Sequence, residues 1–219
     1  MRKLNDQELK VIQSRLESMH IRYKEIYEEI FDHYCTTLEK TPQAEFTPAI
    51  AELNETFAWS VVKGMDNELE KSIAKKVQAA QLDYFKFWNL GVKGFLMACL
   101  GICLLVICIV TLPSSDLIIV FLVIILVTTI GVFILRRDAL SFSLSHKSIP
   151  ITSAIIIKKV GILNSMFVWI YVLPSILTRG TIYLNTLFVF TIGVITILSV
   201  LYSVSLLTIA TKLSKPKLI

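Results

Sequence analysis

Long uncharged runs of apolar residues recur through the second half of the chain. Four of them, at residues 94–112, 117–135, 160–178 and 187–210, approach the length that a helix needs to cross a bilayer. That length is roughly 20 residues for a hydrocarbon core of about 30 Å. A surface helix of a soluble domain would carry polar residues along one face, and these runs do not. The sequence therefore predicts four transmembrane helices.

The segments between the apolar runs predict how these helices connect. Residues 111–116 and 178–181 are short turns, so each pair of spans is predicted to form a helical hairpin. The connection between the hairpins, residues 136–159, is longer and basic. Its apolar piece, residues 149–157, contains Pro150 and is too short to cross a membrane. We interpret that piece as a cytoplasmic or interfacial segment.

Lys and Arg residues flank the predicted spans unevenly. There are five before the first span, none in the first turn, five in the middle connection, one in the second turn and three in the tail. Because Lys and Arg near membrane ends stay on the cytoplasmic side, this alternation places both termini in the cytoplasm. We expect a multi-pass protein of the bacterial inner membrane.

Amphipathic helices are predicted ahead of the spans. Apolar residues recur at helical spacing within residues 6–19, 22–39 and 47–64. Asn5 and Glu8 have the spacing of a capping box, and a glycine at position 64 is predicted to close the third helix. The fold class we expect is an all-α polytopic membrane protein with four parts: a cytoplasmic three-helix prefix domain (1–64), a juxtamembrane amphipathic helix (65–93), a four-helix transmembrane domain (94–211) and a basic cytoplasmic tail (212–219).

Charge divides the chain in the same place. Residues 1–88 hold 12 Lys and Arg against 15 Asp and Glu, and residues 89–219 hold 10 against 2, so the net charge of +5 describes neither part. Because the basic excess lies among apolar runs, it indicates topology and excludes a nucleic-acid partner. Three of the four cysteines lie inside the first apolar run, which excludes a disulfide-stapled secreted domain.

Few residues suggest chemistry. No ionisable residue lies deep in a predicted span, which argues against an ion-coupled transporter or a membrane-embedded enzyme. Asp32, His33 and Cys35 are close in sequence, but on a helix they do not converge on one point. We predict no catalytic residue, metal or cofactor, a small buried Cys35, and Asp32 and His33 at the rim of a helix packing surface.

Small and hydroxylic residues at helical spacing predict a membrane packing face. They allow close approach of helices and hydrogen bonds between them. On the first and fourth spans these residues are Gly94, Ala98, Gly101, Gly193, Thr196, Ser199 and Ser203. The sequence leaves open whether this face is internal to the bundle or joins two copies of the chain.

The second predicted helix carries a resemblance to known proteins. The residues that carry it are the run 25–35, Leu38, Glu39, Phe46, Ala49, Phe57 and Ala58. Their pattern resembles the helical prefix of some bacterial transporter permeases and anti-sigma-like membrane regulators, and a group of small Bacteroidota membrane proteins with an Asp-His-x-Cys helix. It covers about residues 5–62 and departs at Ala58-Trp59, where a glycine would be expected. The resemblance implies a cytoplasmic protein-interaction module on a membrane anchor.

Three functions are compatible with these patterns. The leading hypothesis is a non-enzymatic regulator or accessory subunit whose prefix binds a protein partner; the candidate binding residues are Glu28, Glu29, Asp32 and His33. The alternative is a small transporter or channel acting as an oligomer such as a homodimer, with a path along Thr128, Thr129, Asn164, Ser165, Ser199 and Ser203. The third is a lipid-surface enzyme that uses His146 of the 136–159 connection.

Overall fold

The computed structural model describes residues 2–85, 114–137, 148–178 and 186–212, and nine isolated positions between 92 and 111. The described residues are helical, with one isolated backbone pairing and no strand. The helices are α1 Asp6–Ser18, α2 Lys24–Lys40, α3 Phe46–Thr56, α4 Trp59–Phe85, α5 Ser114–Leu135, α6 Ile151–Phe167, α7 Leu173–Leu177 and α8 Thr186–Lys212. A 3₁₀ turn, Gln43–Glu45, precedes α3, and a π-helical turn, Val168–Val172, joins α6 to α7.

The chain forms two compact units. The first comprises Met1–Lys75 and Asp138–Ala154, and the second comprises Lys76–Arg137 and Ile155–Ile219. Part of the connection that follows α5 therefore belongs to the same unit as the prefix helices.

The first helix begins as the sequence predicts. The Asn5 side chain accepts a hydrogen bond from the Glu8 backbone N–H (2.8 Å), and the Glu8 carboxylate accepts one from the Asn5 N–H (2.9 Å). Arg2 donates to the same carboxylate at 2.8 Å. Hydrogen bonds from the backbone and from Arg2 lower the pKa of Glu8. The predicted capping box is confirmed, and it satisfies backbone donors that a helix start leaves unpaired.

The predicted apolar stripes form the core of the first unit. The buried side chains include Ile12 and Leu16 of α1, Leu53 of α3, and the α2 series Ile26, Ile30, Tyr34 and Leu38. Removal of these side chains from water is the main stabilising contribution to a small helical unit.

The prediction of a third helix running to Gly64 is wrong. The helix breaks earlier, because Phe57 leaves the helical region (φ −99°, ψ 52°), and α4 begins two residues later. Gly64 lies inside α4, where an added Cβ would meet nothing within 4 Å. The break turns the Phe57 ring onto the rings of His33 and Tyr34, so a tertiary contact accompanies the end of the helix.

Three helical segments are long and apolar enough to cross a membrane: Ile118–Leu135, Ile151–Leu177 and Phe190–Lys212. They correspond to the second, third and fourth predicted spans. The first predicted span, 94–112, and the continuation of α4 into it lie largely outside the described residues. The division between the apolar piece 149–157 and the third predicted span is wrong, because α6 begins at Ile151 and runs without a break to Phe167. The cytoplasmic or interfacial location of this piece stays a prediction. Pro150 immediately precedes this helix, where its missing N–H costs no helical hydrogen bond.

Packing in the second unit centres on aromatic rings. The Phe121 ring stacks on Tyr171 with centroids 4.5 Å apart, and Phe167 lies 5.5 Å from Phe121 and 5.6 Å from Tyr171. The Tyr171 hydroxyl shares a hydrogen bond with the hydroxyl of Thr196 on α8. Helices α5 and α8 approach closely, since a Cβ added to Gly131 would lie 2.9 Å from Leu207 Cδ2.

Candidate functional site

A pocket of about 260 Å³ opens on the surface of the first unit. Its walls come from the middle of α2, the break between α3 and α4, and the first turns of α4. The lining residues are Glu29, Ile30, Asp32, His33, Thr36, Phe57 and Met65. We refer to it as the α2 pocket.

The spacing along α2 explains the polar side of the pocket. Glu29, Asp32, His33 and Thr36 stand at positions i, i+3, i+4 and i+7, so their side chains share one helix face. The two carboxylates and the imidazole are solvent-exposed. This rim offers negative charge and hydrogen-bond acceptors without the cost of burying either carboxylate.

Phe57 forms the apolar wall because its ring is held by neighbours on α2. The His33 ring meets the Phe57 ring edge-on at 5.2 Å, and the buried Tyr34 ring lies 5.7 Å from it. Tyr34 is itself fixed by a hydrogen bond from its hydroxyl to Asn54 Oδ1 (3.0 Å), which also accepts from Arg15 Nε (3.0 Å). The Asn54 amide therefore connects α1, α2 and α3.

Three of the four predicted partner-binding residues meet at this pocket. Glu29, Asp32 and His33 line it, whereas Glu28 does not. Glu28 is exposed and its carboxylate lies 3.3 Å from Lys24 Nζ, one helical turn away. The sequence did not predict that Phe57 lines the pocket or that Asn54 holds Tyr34 in place. Asn54 could have been noticed because it is a polar residue within the apolar repeat of residues 50–57.

Cys35 has the character of a structural thiol. It is half-buried, and burial together with the nearby Glu39 and Asp32 carboxylates raises its pKa. A raised pKa keeps the side chain a neutral thiol at neutral pH, which is the less nucleophilic form. Among the residues that the structure describes, no group of three or more His, Cys, Asp or Glu could hold a metal ion.

The structure describes some residues of the predicted membrane packing face but not all of them. On α8, Gly193, Thr196, Ser199 and Ser203 are all buried within this one chain. Gly101 is helical, and an added Cβ there would meet nothing within 4 Å. The other two predicted positions, 94 and 98, lie outside the described residues. The α8 part of the face is thus covered by the chain's own helices.

Two polar residues of the predicted transport path donate hydrogen bonds, one within its own helix and one to another helix. Thr128 is buried and donates to the carbonyl of Ile124 in its own helix (2.7 Å). Thr129 donates to Asn164 Oδ1 at 3.3 Å, and Ser165 is exposed. His146, the residue of the enzyme hypothesis, lies outside the described residues.

The early start of α6 changes the polar content of the third span. Lys158 and Lys159, assigned from sequence to a loop, lie within the apolar segment Ile151–Leu177. Lys159 Nζ donates to Gln81 Oε1 (2.8 Å), and Gln81 Nε2 donates to Ser205 Oγ (3.2 Å). The second unit therefore contains a polar cluster that links α4, α6 and α8.

Comparison of the chain with protein-family models, with curated proteins and with solved structures found no match. The resemblance to prefix modules stays a prediction from the residues that carry it.

Proposed function

We propose that the protein is a non-enzymatic membrane regulator or accessory subunit that binds a partner protein through the α2 pocket. The observation that supports this most is the pocket itself, where Glu29, Asp32 and His33 surround a cavity with an apolar wall. The prefix resemblance, which several of the same residues carry, favours the same function.

The chemistry of the pocket favours a lysine or arginine side chain of the partner as the bound group. These side chains have an apolar stem and a charged head. The stem would pack on Phe57 and Met65, and the head would donate to Glu29 and Asp32 at the exposed rim. Such a long, amphipathic anchor fits a small pocket better than a compact apolar or acidic side chain would.

We further propose that four helices cross the bacterial inner membrane as two hairpins, with both termini in the cytoplasm. Three apolar helical segments and the alternation of Lys and Arg along the chain support this arrangement. The α2 pocket would then face the cytoplasm, where basic segments of soluble or membrane partners are accessible. The bilayer is the second partner, and a homodimer remains compatible with the fold.

Affinity purification in mild detergent tests the proposed function. The wild-type protein and the Glu28→Arg variant should recover the same stoichiometric partner, whereas Asp32→Arg should lose it. Glu28 is the matched control because it is also an exposed carboxylate on the same helix but lies outside the pocket. Equal recovery with all three proteins, or no stoichiometric partner with the wild type, would contradict the proposal.

The alternative function, a small transporter or channel, draws on one observation. Lys159, which lies within an apolar segment, donates to the buried Gln81 beside the buried Ser205, and an ionisable residue in a membrane span often marks a transport path. Reconstituted vesicles would test it by ion or solute flux. Flux that disappears in Lys159→Met would favour transport over partner binding, and no flux in the wild type would remove the alternative.

A further inference from the structure

A segment that follows the second predicted span returns to the prefix helices. The Ile149 N–H donates to the carbonyl of Arg22 (3.0 Å), and the Lys24 N–H donates to the carbonyl of Ile149 (3.1 Å). Both bonds lie within the first unit. They pair two short extended pieces of chain that are more than a hundred residues apart in sequence.

A side chain strengthens this pairing. The carboxylate of Glu25, in the first turn of α2, accepts the backbone N–H of Ile151 with both oxygens at 3.1 Å. Ile151 is the first residue of α6, so Glu25 acts as an N-terminal cap supplied by a distant helix. A carboxylate at this position satisfies an otherwise unpaired N–H and interacts favourably with the helix dipole.

The turn that receives the segment is held in place by α4. Asp66 Oδ2 accepts the backbone N–H of Arg22 (3.2 Å), and the Tyr23 hydroxyl donates to Glu70 (2.8 Å). Burial and the Glu70 hydrogen bond raise the pKa of Tyr23 to about 12, so its hydroxyl keeps its proton. Residues 22–24 therefore present a preformed edge to Ile149.

Helix α2 connects this edge with the α2 pocket. Glu25 precedes Glu29 by one helical turn and Asp32 by two, which places the three carboxylates on one face. A cation held by Glu29 would therefore lie close enough to Glu25 to compete with the N-terminus of α6 for its carboxylate.

We propose that residues 148–151 form a latch that an occupied α2 pocket releases. In the engaged state Ile149 pairs with residues 22–24 and Glu25 caps α6. In the released state Glu25 turns to the bound cation, and the first turn of α6 loses its cap and its pairing edge. The first turn of α6, residues 151–154, belongs to the first unit and also opens an apolar segment long enough to cross a membrane, so release changes the start of that segment. The link to pocket occupancy rests on the proposed function, whereas the latch itself does not.

Hydrogen exchange measured by mass spectrometry on the full chain in lipid nanodiscs tests the latch. Glu25→Gln weakens the cap while it keeps the side-chain shape. Exchange in peptides covering residues 22–25 and 149–154 should become about tenfold faster, the effect of losing one charge-assisted hydrogen bond. Glu28→Gln should leave both peptides at the wild-type rate. Unchanged exchange in Glu25→Gln, or the same acceleration in Glu28→Gln, would overturn the latch.

A second pair of variants tests the coupling without a partner. Glu29→Lys places a cation one turn after Glu25, in the favourable order for a helical ion pair, and so mimics an occupied pocket. It should accelerate exchange at 149–154, whereas Glu29→Gln should not. Equal rates in the two variants would overturn the coupling. Neither result depends on the co-purification test, so failure of the proposed function is recognised separately. In each variant, an exchange rate within α1 equal to that of the wild type verifies that the first unit is folded.

Discussion

Replacement of Asn54 is expected to uncouple three helices of the first unit. Its Oδ1 accepts hydrogen bonds from the Tyr34 hydroxyl and from Arg15 Nε, both at 3.0 Å. The Tyr34 side chain is fully buried, whereas Arg15 is half-exposed. In Asn54→Ala the arginine regains water as a partner, but the tyrosine hydroxyl is left as an unsatisfied buried donor.

The expected losses in the free energy of unfolding follow from this difference in burial between Tyr34 and Arg15. A typical hydrogen bond contributes about 1 kcal/mol net, and an unsatisfied buried polar group costs about 1–3 kcal/mol. We expect Tyr34→Phe to lower the free energy of unfolding by about 1 kcal/mol and Asn54→Ala by about 2–3 kcal/mol. In the double variant no buried hydroxyl remains, so the loss should be smaller than the sum by about 1 kcal/mol or more.

Urea-dependent pulse proteolysis of the full chain in detergent micelles measures these losses, with peptides from residues 2–75 reporting on the first unit. The exposed Asn67 on α4 supplies the control, since Asn67→Ala should leave the urea midpoint unchanged. Strict additivity of the two single substitutions would refute the reasoning, because it would mean that Tyr34 and Asn54 do not share a hydrogen bond. A loss for Asn54→Ala no larger than for Asn67→Ala would refute it as well.

Two further predictions concern a buried carboxylate and a helix contact. Desolvation raises the pKa of Asp66 more than Arg22 lowers it, so the charged form costs stability in the folded state. Asp66→Asn should therefore raise the urea midpoint of the first unit at about pH 7. The gain should shrink toward about pH 4, because wild-type Asp66 then takes up a proton and loses its charge. A gain that grows on acidification would contradict this prediction. At Gly131 an added Cβ meets only the mobile end of Leu207, so Gly131→Ala should change the thermal stability of the detergent-solubilised protein little, whereas Gly131→Ile should destabilise it by about 1–3 kcal/mol. The same pair of substitutions at Gly161, where an added Cβ meets nothing within 4 Å, is the control, and equal effects at both glycines would contradict close packing of α5 on α8.

The spacing of apolar and capping residues predicted the helices well wherever the buried side chains lie on one face of the helix. The α2 stripe and the capping box at Asn5 depend on residues within a few positions of each other, and both have the predicted geometry. The three described apolar segments follow from length and composition alone. Three of the four candidate partner-binding residues line the pocket, because helical periodicity places them on one face of α2.

The errors occur where a distant contact decides the outcome. The helix predicted to end at Gly64 ends at Thr56, where the Phe57 ring turns onto α2. The apolar piece assigned to the connection between the hairpins contains the start of α6, and the N–H of Ile151 is capped by Glu25. Neither contact has a signature in the residues nearby, because each partner lies far along the chain.

By itself the sequence determined the helical class, the amphipathic prefix and the apolar segments, since these depend on the hydrophobicity and spacing of neighbouring residues. Tertiary structure alone decided the pocket wall at Phe57, the Asn54 hydrogen bonds and the pairing of Ile149 with the turn before α2. The physical reason is that a helix is stabilised by bonds four residues apart, whereas a site is formed by side chains that packing brings together from distant parts of the chain.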